Sequence, residues 1–171
     1  EARPQHRHCV YRRTSHLRGY LDQIQARSCI RLEPRLLDAA TEEVRKHRTP
    51  PSDITPRLLR TLLKPYRLSR HYYSLPRVAI ELGGPPPPQI PPDIEAKVIA
   101  SFRKVEEAFE ATKDRKNILG MAFVVSQLLR VHGCDPSPWA VSHLRTRRPQ
   151  LDQDRRWKVI CEMTGIPYLG L

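Results

Sequence analysis

Basic side chains and tyrosines are concentrated between residues 57 and 77, and this segment is the part of the sequence best suited to bind a charged ligand. It contains no Asp or Glu. Clusters of arginine with interleaved aromatic residues are typical of nucleic-acid-binding surfaces. A helix, a tight turn and a second helix, with Arg and Tyr at the turn, are compatible with a helix-turn-helix-like element that holds phosphate. We therefore predict a nucleic-acid contact here, with a solvated face as the alternative. The candidate residues are Arg57, Arg60, Lys64, Arg67, Arg70, His71 and Tyr72.

Two shorter groups of arginines could bind the same kind of ligand. Leu17, Tyr20, Leu21 and Ile24 lie three and four positions apart and so share one face of a predicted helix, whose remaining surface carries the first group. The second group lies in the sequence RTRRP at 145–149, which is predicted to connect two helices. A solvated face, a phosphate contact and a contact to an acidic protein surface all remain open for these groups. The candidate residues are Arg12, Arg13, Arg18, Arg145, Arg147 and Arg148.

No arrangement in the sequence predicts catalysis. A Gly-rich phosphate loop, a His-Glu-x-x-His motif and a Gly-x-Ser-x-Gly motif are all absent. Asp152 and Asp154 lie two apart on a predicted helix and face different directions, so Asp154 is expected to pair with nearby arginines or with Lys158. The sequence HRHC at 6–9 lacks the second Cys/His pair of a zinc finger. We predict no enzyme, no small-molecule substrate and no cofactor for these residues.

The charge of the chain points to a polyanionic partner. Thirty Lys and Arg residues against eighteen Asp and Glu give the 171 residues a formal net charge of +12. Such an excess favours nucleic acid, because each phosphate contact releases counterions. No apolar run approaches the ~20 residues of a membrane-spanning helix, so no membrane partner is predicted. The four cysteines form no Cys-x-x-Cys pair, which favours a reducing, intracellular compartment.

Proline and glycine residues mark the predicted helix boundaries. A helix is expected to begin at Pro34, and Thr55-Pro56 should cap and begin the next one. The segment that follows is predicted to form two short helices that meet near Ser74 and end at Gly83-Gly84. The residues expected to face inward from the Pro34 helix are Leu37, Ala40 and Val44. Those expected to face inward from the last helix are Leu151, Trp157, Ile160, Cys161 and Thr164.

The most apolar helix is predicted over residues 118–132, with the sequence ILGMAFVVSQLLRVH. A helix that is apolar on all sides is buried on all sides, so we expect it at the centre of a bundle. No segment alternates apolar and polar residues over the length of a strand. The predicted fold class is therefore all-α, a compact multi-helix bundle around the buried central helix 118–132. A cyclin-like unit, as in transcription factor IIB, is one form that such a bundle could take.

The sequence PPPPQIPP at 85–92 is predicted to be an extended spacer between two helical halves. The predicted division is an N-terminal helical part over residues 1–84, this spacer, and a C-terminal helical bundle over residues 93–171. The N-terminal part contains the basic helix-turn-helix-like segment. Both halves are expected to pack as one unit.

The order of motifs resembles the carboxy-terminal domain of the poxvirus late transcription factor 3-like proteins of large DNA viruses. The resemblance covers residues 11–168. Its first motifs are Tyr11-Arg-Arg-Thr-Ser-His16-Leu, Gln23-Ile-Gln25-Ala, Ile54-Thr-Pro56, Leu68-Ser69-Arg-His-Tyr72-Tyr73 and Ile80-Glu-Leu-Gly-Gly84. Its later ones are Phe102, Phe109, Arg115-Lys116-Asn117-Ile118, Asp154, Trp157, Ile160-Cys161 and Gly165. The sequence departs from the family pattern at Leu17 and at Gly120-Met121.

The resemblance implies a factor for late viral gene transcription that works with viral RNA polymerase at promoter DNA, in a cytoplasmic viral factory or the nucleus of the host. Family members usually carry a Cys-x-x-Cys zinc ribbon ahead of this domain. The present sequence has none, so we expect that a zinc-binding ribbon was trimmed off or is absent.

Two other functions remain as alternatives. A protein-only adaptor would use its basic surfaces to bind acidic patches of protein partners and would not contact DNA. A metal-dependent nucleic-acid enzyme would need several carboxylates around a metal, and no acidic cluster in the sequence is suitably placed.

Overall fold

The computed structural model describes residues 6–112, 119–139 and 147–170, with side chains described from residue 13 and, in the last range, from residue 150. These ranges contain helices and no strand, so the predicted all-α fold is confirmed. The α-helices are α1 (His6–Ile24), α2 (Pro34–Lys46), α3 (Pro56–Leu62), α4 (Leu75–Glu81), α5 (Pro92–Ala111), α6 (Met121–Val131) and α7 (Arg147–Thr164). Short 3₁₀ helices cover Pro51–Asp53, Lys64–Tyr66, Ser69–Ser74 and Ser137–Trp139.

The chain forms two compact units, one of residues 19–89 and one of residues 1–18 with 90–171. In the unit of residues 19–89, α2, α3 and α4 pack around an aliphatic core. Thr55 caps α3 as predicted, because its hydroxyl accepts a hydrogen bond of 3.2 Å from the N–H of Leu58. The core consists mainly of Leu36, Ala40, Ile54, Leu59, Leu63, Leu68, Leu75 and Val78.

The end of α4 depends on the two glycines predicted to terminate it. Gly83 has φ of 86°, a conformation that glycine adopts without strain. A Cβ atom at Gly84 would lie 2.3 Å from the carbonyl oxygen of Ile54. The chain can therefore approach the core this closely only with glycine at position 84. The predicted break before α4 is also confirmed, since the 3₁₀ helix Ser69–Ser74 leads directly into it.

The other unit is built on α5, α6 and α7. The prediction that the central helix, α6, is buried on all sides holds only in part, because five residues of α6 are buried and the others are half-buried. The ring of Phe123 meets Trp157 edge to face at 6.2 Å. The predicted start of this helix at 118 is wrong, because Leu119 and Gly120 precede the first helical turn; Ile118 lies outside the described residues. The main buried residues of this unit are Leu17, Val98, Phe102, Val105, Val124, Val125, Leu128, Leu129, Trp157 and Ile160.

Two predictions for the last helix are corrected by the structure. Arg147 and Arg148 belong to the first turn of α7, so the sequence RTRRP is not wholly a connection between helices. Proline is well tolerated in a first turn because the N–H that it lacks has no partner there. Leu151 is 42% exposed instead of facing inward, whereas Trp157 is fully buried as predicted. None of the described helices is long and apolar enough to cross a lipid bilayer.

Candidate nucleic-acid interface

Helix α3 and the turns after it carry most of the basic segment, which we define as residues 57–77. Leu59 and Leu63 lie four positions apart and are fully buried, so they fix the inward face of α3. Arg57 and Arg60 lie three positions apart on a neighbouring face of α3, and Lys64 begins the 3₁₀ helix that follows. The spacing of leucine and basic residues thus places the leucines in the core and leaves Arg57 and Lys64 exposed.

The chain then bends through the two 3₁₀ helices that join α3 to α4. Arg67, at the bend, has φ of 55° and ψ of 35°, a left-handed conformation that is uncommon for a residue with a side chain. The next residue, Leu68, is buried and anchors the bend to the core, while Arg67 and Arg70 are exposed on either side of it. The bend therefore presents two guanidinium groups to the surroundings.

Tyr66 attaches this bend to α2 through the buried carboxylate of Glu43. The phenol donates a hydrogen bond of 2.8 Å to Glu43 Oε1, and Lys46 Nζ and His47 Nε2 lie 3.4 and 3.2 Å from the same carboxylate. The hydrogen bond from Tyr66 is the main cause that lowers the pKa of Glu43 and, reciprocally, raises the pKa of Tyr66. The fold thus brings an acid to a segment whose sequence contains none.

Arg60 lies over the ring of a tyrosine of the same segment. Its guanidinium carbon lies 5.4 Å from the ring centre of Tyr72, which is a cation–π contact. Burial raises the pKa of Tyr20 to about 12, and the positive charge of Arg60 acts against this shift. The fold therefore orients the guanidinium group of Arg60 over Tyr72.

The remaining members of the basic segment differ in the contacts that they make with other residues of the protein. Arg77 forms an ion pair of 3.2 Å with Glu81 and donates a hydrogen bond of 3.1 Å to the carbonyl of Ser28, so it has a structural role. Arg70 Nε donates a hydrogen bond of 3.1 Å to His71 Nε2, its neighbour in the chain, so Arg70 is oriented locally.

Helix α4 offers little surface to a ligand. Leu75, Pro76, Val78 and Ala79 are all buried among its seven residues. A recognition helix reads bases with side chains of its first turns. The exposed basic groups belong to α3 and the bend instead of to α4, and such an arrangement is suited to phosphates.

The other predicted site residues do not belong to the compact unit that contains the basic segment. Arg13 forms an ion pair of 3.6 Å with Glu110 of α5, and Arg18 is exposed; both belong to the unit built on α5, α6 and α7. The side chains of Arg12, Arg147 and Arg148 lie outside the described residues, and so does the whole of Arg145.

Two residues of the interface were missed from the sequence, Glu43 and Tyr20. The signal for Glu43 was its position three and four residues before Lys46 and His47, which allows ion pairs on one helical face. Nothing local linked Glu43 to Tyr66 or the charge of Arg60 to Tyr20, since these residues come from distant parts of the chain.

The described residues contain no group of three or more His, Cys, Asp or Glu that could hold a metal ion. Asp152 pairs with Arg156 at 3.2 Å. The predicted partners of Asp154 were wrong, because its carboxylate accepts a hydrogen bond from the hydroxyl of Tyr168, which folds back from beyond the end of α7. Local helical spacing assigned this carboxylate to a basic neighbour, whereas the fold gives one of its two oxygens a tyrosine hydroxyl.

Comparison with known proteins identifies relatives in three viruses. The chain is 26% identical to a protein of Acanthamoeba polyphaga mimivirus, covering 91% of this chain and 37% of that protein. It is 25% identical to a protein of Paramecium bursaria Chlorella virus 1, covering 89% and 43%. It is 26% identical to a protein of Invertebrate iridescent virus 6, covering 94% and 47%. All three are named "putative transcription factor".

The chain thus spans less than half the length of these relatives. No solved structure matches it significantly. A model of the family described as poxvirus late transcription factor VLTF3 like matches residues 5–168, which is nearly the whole chain. This protein therefore belongs to the poxvirus late transcription factor VLTF3-like family.

Proposed function

We propose that this chain acts in late viral transcription by contacting promoter DNA with the exposed cations of the basic segment and helping to position RNA polymerase there. Family membership supports a role as a transcription factor. The contact with DNA is carried by one observation. Arg57, Lys64 and Arg67 are exposed, and among the described residues none of them forms an ion pair.

Several basic residues elsewhere in the chain have carboxylate partners. Arg13, Arg27 and Arg45 pair with Glu110, Asp22 and Glu42, at 3.6, 2.9 and 2.7 Å. A guanidinium that already has a carboxylate partner must give up that contact to bind phosphate. Arg57, Lys64 and Arg67 have no such ion pair among the described residues, so their charge is available to a polyanion.

The test is the salt dependence of binding to a promoter duplex, measured by fluorescence anisotropy with the 171-residue chain. The triple variant Arg57→Gln, Lys64→Gln, Arg67→Gln should bind more weakly. Its slope of log affinity against log salt should be shallower by about 0.9 for each phosphate that the variant no longer neutralises.

The matched control is the triple variant Arg31→Gln, Arg35→Gln, Arg48→Gln. It removes the same charge from exposed residues of the same compact unit, and Arg48, like Arg67, has a positive φ of 50°. This control should keep most of the affinity. Equal losses in the two variants would show that only net charge matters, and an absence of binding to any duplex would favour the protein-only adaptor.

A further inference from the structure

The basic segment also exposes two aromatic rings, Tyr66 and Tyr73. Tyr66 is 39% exposed and Tyr73 is 43% exposed, although tyrosine rings are usually more buried than this. Arg67 and Arg70 lie between them along the chain and are exposed as well. The order is therefore aromatic, cation, cation, aromatic within eight residues.

The fold holds the ring of Tyr66. The hydroxyl of Tyr66 is bound to Glu43 at 2.8 Å, so the ring has a fixed direction while part of its surface remains open. Tyr73 lies in the 3₁₀ helix Ser69–Ser74 and borders a shallow depression lined by Ile30, Leu32 and Arg77. A ring that is already ordered loses little conformational entropy when a base stacks on it.

Base stacking requires a base whose face is free, and in a duplex these faces are covered by neighbouring base pairs. Unpaired strands are bound by the combination found here, a cationic track with aromatic rings for the bases. Helix α4, which would have to read a groove, is largely buried.

We infer that the basic segment binds single-stranded DNA in preference to duplex, with Tyr66 and Tyr73 stacking on bases and Arg67 and Arg70 contacting the phosphates between them. This inference rests on the proposed function, because it uses the same site. It adds that the site holds an unpaired strand, such as one exposed where promoter DNA is opened.

The experiment compares a fluorescent oligothymidylate with a duplex of equal length, using the 171-residue chain. The single strand should bind more tightly than the duplex. Tyr66→Ala and Tyr73→Ala should each weaken binding of the single strand about fivefold or more, since stacking on an aromatic residue has an effect of this order for each base. Duplex binding and the salt dependence should change little, because no cation is removed.

Two further variants separate stacking from folding. Tyr66→Phe loses the hydrogen bond to Glu43 but keeps the ring, so it should bind single strands nearly as the unchanged chain does. Tyr168→Ala is the matched control, because Tyr168 is also 39% exposed and also donates its hydroxyl to a carboxylate, that of Asp154. It should leave binding unchanged.

Tighter binding of duplex than of single strand, or equal loss of both with the alanine variants, would overturn the inference and leave the proposed function intact. Full affinity for single strands in Tyr66→Ala and Tyr73→Ala would overturn it too. An absence of binding to either DNA would overturn the inference and the proposed DNA contact together.

Discussion

Two buried glutamates show how strongly the hydrogen-bond and charge partners of a carboxylate determine its pKa. Glu43 is 7% exposed and has Tyr66, Lys46 and His47 around its oxygens, and its pKa is lowered. Glu106 of α5 is 4% exposed; one oxygen accepts a hydrogen bond of 3.3 Å from Thr14, and the other has no hydrogen-bond partner among the described residues. Burial raises the pKa of Glu106. Removing the charge should therefore change the stability of the folded chain in opposite directions for the two acids.

We expect Glu106→Gln to preserve or raise the melting temperature at pH 7 and Glu43→Gln to lower it. A raised pKa in the folded state means that Glu106 reduces stability as pH rises through and above its ordinary value near 4.5. A lowered pKa means that Glu43 adds stability above that value, and this stability is lost as pH falls through its folded pKa. Thermal unfolding of both variants between about pH 4 and pH 7 measures these shifts. A strong loss of stability in Glu106→Gln at pH 7 would contradict the interpretation of that residue.

Helix α3 shows how one capping residue positions several basic side chains. Replacing Thr55 by Ala should lower the free energy of unfolding by about 1 kcal/mol, because the N–H of Leu58 loses its hydrogen-bond acceptor. Thr55→Ser should restore most of it. The control is Thr61→Ala, whose hydroxyl bonds only to the carbonyl of Arg57 within the helix. Urea denaturation distinguishes the variants, and equal stability of Thr55→Ala and the unchanged chain would show that the cap is dispensable.

Local sequence signals predicted the helix boundaries well where a proline or glycine fixes the backbone. The starts at Pro34 and Pro56 and the end after Glu81 all follow from such residues. The prediction for the inward face of α2 was right for Ala40, which is fully buried, whereas Leu37 and Val44 are only partly buried against the core and Leu36 is fully buried instead. Glu43 is also buried on this helix and accepts a hydrogen bond from Tyr66, and an apolar pattern ignores such a polar residue.

The candidate interface, like the helices, could be predicted from the sequence only in part. A run of basic residues without acids is visible in the sequence, and the structure keeps Arg57, Lys64 and Arg67 exposed. The ion pair of Arg77 with Glu81 follows from their spacing on α4. The hydrogen bond of Arg77 to the carbonyl of Ser28 and the contact of Arg60 with Tyr72 could not be predicted, because these partners lie far away in the sequence. Tertiary contacts of this kind leave no periodic signal in the chain.

At the scale of the whole molecule, a formal net charge of +12 acts on both folding and binding. Like charges repel in the compact state, and this repulsion acts over a Debye length of roughly 30 Å at 0.01 M salt but about 10 Å at 0.1 M. Salt therefore weakens the repulsion that opposes folding. The same ions compete with the protein for DNA phosphates and weaken binding.

We expect added salt to stabilise the free chain and, in the same titration, to weaken its binding to DNA. The melting temperature of the free chain should rise as sodium chloride increases from about 0.01 M to 0.1 M and above, where screening removes most repulsion between distant charges. Over the same range, affinity for DNA should fall. Differential scanning fluorimetry and anisotropy on the same samples measure both quantities, and the variant Arg31→Gln, Arg35→Gln, Arg48→Gln should show the smaller rise in melting temperature because its net charge is lower. A melting temperature that falls with salt would mean that attractive ion pairs, such as Arg45 with Glu42 at 2.7 Å, outweigh the excess of positive charge.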